Sequence, residues 1–199
     1  METVDTILGY WFSANPDGAA LAEDRAALWW SKNSQVDEEI RARFESTVKL
    51  AGEGKLDLWL AEPQGRLALI ILTDQFPRNI YRDSPRAFGF DTQALEWTLD
   101  GIELGVDQLL RPIERVFFYL PLEHSERLEH QERSVRMFSN LVSIVAPNQR
   151  EIFENYLDLA IRHRDIVARF GRFPHRNEIL GRSSTPEELD FLAQPGSSF

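Results

Sequence analysis

Apolar residues recur along this chain at spacings of three and four, and that pattern restricts it to helices. Val4, Ile7, Leu8 and Trp11 follow Thr3, a residue suited to cap a helix start. Asn15-Pro16-Asp17-Gly18 reads as a turn before a helix carrying Leu21, Leu28 and Trp29. Ser34 is placed to cap the next helix, with Val36, Ile40, Phe44, Val48 and Ala51 down one face and Gly52 and Gly54 as its stop. Glu62-Pro63-Gln64-Gly65 reads as a turn ahead of an apolar run from Leu67 to Phe76. That run is ambiguous by period, but Ala68, the leucines and the lack of a partner strand favour a buried helix, which Pro77 ends or distorts.

The second half repeats the pattern. Ser84-Pro85 is a cap followed by proline, and a helix from about Asp91 to Leu104 closes at Gly105. Pro112 opens a short helix through Phe117 and Tyr119, and Pro121 opens a long one to about Val145. After Pro147 a further helix runs to Gly171, Thr185-Pro186-Glu187-Glu188 is a capping box, and Gln194 to Phe199 forms a tail. The expected fold is all-α, with roughly 8–10 helices joined by short links in a single domain over 1–199. One internal echo stands out. Gln75-Phe76-Pro77-Arg78-Asn79 resembles Arg172-Phe173-Pro174-His175-Arg176-Asn177, each behind an apolar helix, as in an array of stacked helical hairpins.

Composition narrows the function. The chain of 199 residues has no cysteine, so disulfides, thiolate metal sites and thiol nucleophiles are excluded. A net charge of −10 argues against nucleic acid as a partner. No segment approaches the ~20 apolar residues of a membrane span, and the acidic N-terminus does not resemble a signal peptide, so a cytoplasmic location is expected. Only Lys32, Lys49 and Lys55 are lysines; the other cations are arginines. Six of these arginines, with two histidines, lie between Arg162 and Arg182 against Asp165 and Glu178, a basic island suited to bidentate anion recognition.

Four clusters carry candidate chemistry. Asp74, Arg78 and Asn79 sit at the rim of the most apolar stretch. Glu123, His124 and Glu126 follow Pro121; on a helix the two carboxylates are three apart and share a face, suiting acid–base work. His163 stands alone on a helix. Gly171 and Pro174 fix a turn displaying Arg172, His175, Arg176 and Asn177, with Arg182 just beyond, a plausible anion site. No metal site is expected, because the histidine and carboxylate spacings match neither a zinc helix motif nor a di-iron bundle. Glycine-rich phosphate loops and Gly-x-Ser-x-Gly elbows are absent, and no cofactor is indicated.

These motifs together carry a resemblance. Leu67 to Asn79 (LALIILTDQFPRN), Tyr119 to Glu126 (YLPLEHSE), Arg169 to Asn177 (RFGRFPHRN) and Leu180 to Glu188 (LGRSSTPEE), with Tyr10-Trp11-Phe12 and the closing Phe191 to Phe199, look like the bacterial domain-of-unknown-function family 924. The resemblance spans nearly the whole chain and implies an irregular tetratricopeptide-like array of antiparallel helical hairpins. It implies no activity, substrate or cofactor.

The expected function is binding of a small anionic ligand or an acidic peptide in a cleft lined by Asp74, Arg78, Asn79, His163, Arg172, Arg176 and Asn177, with Glu123 and Glu126 orienting the arginines. An alternative is an enzyme in which Glu123 or Glu126 acts as base, His124 or His175 as proton partner, and the arginines as a clamp. Another is an interaction scaffold with an exposed aromatic groove at Trp29 and Trp30, or at Trp97. A homodimer is left open.

Overall fold

The computed structural model describes residues 2–13 and 15–197; Ser198 and Phe199, which close the expected tail, lie outside them. Ten α-helices and no strand are present among the described residues. In chain order they are α1 (Val4–Phe12), α2 (Gly18–Trp30), α3 (Ser34–Gly52), α4 (Pro63–Ile70), α5 (Phe76–Ile80), α6 (Asp91–Glu103), α7 (Pro112–Glu123), α8 (Leu128–Ile144), α9 (Arg150–Phe170) and α10 (Pro186–Leu192). A single π-turn, Ile71–Gln75, joins α4 to α5 without a break, so the two form one continuous rod.

The starts of these helices follow capping chemistry. Thr3 and Thr6 form a reciprocal capping box at α1, as do Thr185 and Glu188 at α10. Asp17 accepts from the amides of Ala19 and Ala20 at α2. At α3 the cap is Asn33, one residue before the expected Ser34, because the longer amide side chain reaches the amides of Gln35 and Val36. The ends follow backbone handedness: Gly105 and Gly171 both adopt left-handed φ, +71° and +69°, after α6 and α9.

Prolines account for the boundaries that depart from expectation. Glu62–Gly65 is not a free turn, since Pro63 is the first residue of α4. Pro77 does not end the apolar helix, which continues to Ile80. A proline ring clashes with the carbonyl four residues back, here Thr73, and that residue lies in the wider π-turn. Pro121 does not open the long helix either. It lies inside α7, all of whose residues from Ile113 to Glu123 are buried, and packing holds the helix to Glu123. The break falls at His124–Arg127, where the Ser125 hydroxyl accepts from the Arg127 amide.

Packing centres on α4 and α7. Every residue from Leu67 to Phe76 is buried, so the apolar run is a helix enclosed on all sides. It contacts α1, α6 and α7, while α5 lies along α3 and α7, α8 and α9 pack in succession. Trp11, Phe12, Trp29 and Phe117 interlock edge to face at the centre. Trp29 and Trp97 are therefore core residues and do not form the exposed aromatic groove that a scaffold reading requires; Trp30 is half exposed and stacks flat on Phe117. No helix among the described residues is long and apolar enough to cross a membrane.

Candidate functional site

The π-turn carries Asp74 into the interior, where it is wholly buried. An isolated carboxylate could not persist there, and three polar side chains surround it. The His124 ring lies 2.7 Å away through Nδ1, Gln75 donates its amide, and the Arg78 guanidinium stands 3.5 Å off. Burial pushes the Asp74 carboxyl up, but Arg78 and then His124 outweigh it and hold it at about 2. Arg78 in turn makes a bidentate pair with Asp91, at 2.9 and 3.1 Å.

His124 is the first residue past α7. Asp74 is ionised and can only accept, so the His124 Nδ1 carries the proton and donates it. Burial, helped by the Arg78 charge, pushes the imidazole below its usual value, so the ring is neutral at pH 7. Its Nε2 is then a lone-pair acceptor, and no residue among those described bonds to it. The ring, together with Asp91, Pro121, Ser125, Glu126 and Arg176, lines a cavity of about 200 Å³.

Arg176 supplies the opposite wall. Gly171 turns the chain sharply after α9, and Pro174–Arg176 forms a 3₁₀ turn that presents Arg176 inward, 7% exposed. Its guanidinium lies between the rings of Phe88 and Phe173, 4.8 and 4.6 Å from their centroids. Nη1 donates to the His124 carbonyl at 3.0 Å and stands 3.8 Å from Asp91. Nε is buried without a hydrogen-bond partner, and Nη2 has none among the described residues. Burial and the neighbouring Arg78 lower this arginine to about 10, which leaves it charged at pH 7.

Glu123 and Glu126, expected on one helix face, are separated by the break between α7 and α8. Glu123 ends α7 and points back into the core, 4% exposed, with Oε1 3.0 Å from His163 Nδ1. That nitrogen also donates to the Leu159 carbonyl at 2.8 Å. Burial raises Glu123 to about 8, with Asp74 adding to the effect, and lowers His163 to about 3. The pair is therefore uncharged at pH 7. Glu126 lies in the loop and accepts from Arg182 at 2.7 and 2.9 Å and from the Phe173 amide at 2.8 Å. Burial opposes its ionisation, but these bonds hold its carboxyl below the usual range. Gln131 of α8 fixes the break by donating to the carbonyls of Glu123 and Ser125, both at 2.6 Å.

The model of a family described as bacterial protein of unknown function, DUF924, matches residues 7–196. The chain belongs to that family. Among solved structures, the DUF924 chain is similar to a protein of unknown function, ATU0120, from Agrobacterium tumefaciens. The two are 38% identical, the match covers 89% of this chain and 99% of that one, and the TM-score is 0.75. No curated protein matches.

The DUF924 chain brings some of the expected residues together and keeps others apart. His124, Glu126 and Arg176 line the small cavity, while Asp74 and Arg78 lie outside its lining and reach it through His124 and Asp91, and Glu123 pairs with His163 in the core. The two arginines of the internal echo, Arg78 and Arg176, both converge on Asp91. His175 lines a separate, larger cavity; burial, reinforced by Arg176, lowers it to about 4. Asn79 donates to Asp37, which Arg82 also grips. Arg172 and Asn177 both donate to Glu188 and so belong to the anchorage of α10. Asp91 and Phe88 are the site residues missed in the sequence. Asp91 reads there as the first residue of a helix, and a lone phenylalanine carries no signal that it will stack on an arginine.

Proposed function

We propose that the chain binds a small monoanion in the 200 Å³ cavity and exchanges a proton with it. One observation carries this reading: the Asp74–His124 hydrogen bond leaves Nε2 as the lone-pair acceptor of an imidazole that lines the same cavity as Arg176. Arg176 meets an anionic oxygen through Nη2, while His124 accepts a hydrogen from a neighbouring group of the ligand. A carboxylate bearing a hydroxyl, or dihydrogen phosphate, offers both. The cavity is too small for a peptide segment, which favours a small molecule over the acidic peptide.

A second reading, an enzyme, rests on the same dyad. A carboxylate that fixes the tautomer of a histidine is the arrangement by which an imidazole serves as general base, and His124 is neutral where such a base must be. Asp74 then positions, His124 takes the proton, and Arg176 holds the charge. The surrounding helices we read as one domain with an irregular tetratricopeptide-like hairpin array, in which α7, α8 and α9 form the stack that carries His124 and His163.

The test is a thermal-shift and calorimetric comparison of acetate, glycolate and phosphate on wild type, Arg176→Met and His124→Asn. A ligand at 100 times its Kd adds ~2.7 kcal/mol, or about 5–10 °C in a domain of this size. Glycolate should shift the wild type more than acetate does. Arg176→Met should abolish the shift for both, and His124→Asn should remove the preference for glycolate. Equal shifts in wild type and Arg176→Met, or none in the wild type, would overturn the proposal.

A further inference from the structure

The second cavity, about 580 Å³, is lined by His175, Arg182, Leu189 and Leu192 among others. It falls in the size range of small-molecule sites, whereas the first cavity is smaller than that range. The two share a wall. Glu126 lines the first and Arg182 the second, and these residues are ion-paired to each other at 2.7 and 2.9 Å. Arg176 and His175, consecutive in one 3₁₀ turn, each line one cavity.

The chemistry of the two differs. The small cavity offers a buried cation and an imidazole lone pair. The large one is mixed: Pro174 and the α10 residues Leu189 and Leu192 give it an apolar part, beside a polar part that includes Glu178 and Arg182. Leu189 is 57% exposed, although α10 is tied down by its capping box, by the Arg172–Glu188 pair and by the Phe170–Phe191 contact. A well-anchored short helix thus presents leucines to an open space beside a polar pocket. The wall between is electrically quiet, because the Glu126 carboxylate is matched by Arg182 and the Phe173 amide and does not repel a passing anion.

We infer that the two cavities hold the two ends of one ligand, an amphiphilic carboxylate whose head lies on Arg176 and His124 and whose apolar tail crosses the Glu126–Arg182 pair to lie over Leu189 and Leu192. This rests on the anion-binding reading and specifies its ligand class.

The test is calorimetric titration of the full chain with straight-chain carboxylates from acetate to octanoate, each below its micellar concentration. From butyrate upward, affinity should rise by up to about fourfold per methylene, the equivalent of ~0.8 kcal/mol for a CH₂ fully removed from water. In Leu189→Glu, an exposed position where folding is not at stake, the dependence on length should flatten while acetate binds as in wild type. In Arg176→Met every member of the series should weaken. An affinity independent of length, with acetate still bound, overturns the tail and leaves the anion site standing. No binding at any length overturns the anion site itself. Octanoate binding undiminished in Arg176→Met overturns the shared-ligand geometry.

Discussion

Replacing Glu123 by glutamine should change how stability depends on pH in a window that no other described group with a resolved shift controls. Glu123 rises from ~4.3 in an unfolded chain to about 8 in the folded one. Its native contribution is therefore fully present below pH ~4.3 and is lost as pH climbs through 8, because in between the folded chain holds a proton that the unfolded chain has released. His163 acts in the opposite sense. It falls from ~6.5 to about 3, so its contribution is present above pH ~6.5 and is lost in acid. From ~4.3 to ~6.5 the two cancel, each state of the pair holding one proton. Above ~6.5 only Glu123 remains, and 1.5 pH units at ~1.36 kcal/mol each give about 2 kcal/mol of stability lost by pH 8. His124 and His175, both lowered, add slopes only on the acid side. Wild-type stability should thus peak near pH 6.5. Glu123→Gln keeps the shape of the neutral carboxyl and removes its proton, so the alkaline fall should vanish. Urea unfolding at 25 °C between pH 6 and 8.5 measures this directly, and the midpoint of thermal unfolding should drop by about 4–8 °C across the window in wild type alone. Parallel curves for the two proteins between pH 6.5 and 8 would refute the argument.

Two further outcomes follow from the packing. Asp74→Asn removes the charge that faces Arg78 and His124 in the core and should cost about 3–5 kcal/mol in urea unfolding, the range for breaking one partner of a buried pair; a loss under ~1 kcal/mol would mean that Asp91 alone satisfies Arg78. Gly65→Ala would place a methyl 2.2 Å from the Trp59 carbonyl oxygen, a backbone atom that cannot swing aside, and should destabilise by about 1–3 kcal/mol, whereas Gly9→Ala, with nothing within 4 Å inside α1, should stabilise by about 0.5–1 kcal/mol. Thermal denaturation of the two alanine variants side by side checks both signs.

Several helices were legible because they are announced locally: Thr3 and Thr185 as caps, Gly105 and Gly171 as stops, and apolar spacing between. The prolines were less legible. Pro121 has the same sequence appearance as Pro112, yet one lies inside a helix and the other starts one, and only the enclosure of α7 on all sides distinguishes them. The site was half legible. Asp74, His124 and Arg176 announce themselves as polar residues beside apolar runs, but which carboxylate meets which base is a long-range fact: Asp74 and His124 are 50 residues apart. Arg172 and Arg176 read alike in sequence, and the difference between anchoring α10 and lining a cavity comes from where the turn after Gly171 points each one.

The π-turn at Ile71–Gln75 has a consequence for how this protein can vary in length. Relative to a plain helix, a π-turn carries one extra residue, and each residue of an α-helix turns the chain by ~100°. A one-residue deletion there would restore an ordinary helix and leave the sequences on either side able to remain helical. Because the wide turn absorbs the extra residue, the segments before Ile71 and after Phe76 would keep nearly their present orientation; what would be lost is the wide turn that accommodates the Pro77 ring and seats Asp74. A single in-frame codon loss within Ile71–Gln75 would thus leave the core helices in register and strike at the site, by setting the Pro77 ring against an ordinary helical carbonyl and displacing Asp74 from His124.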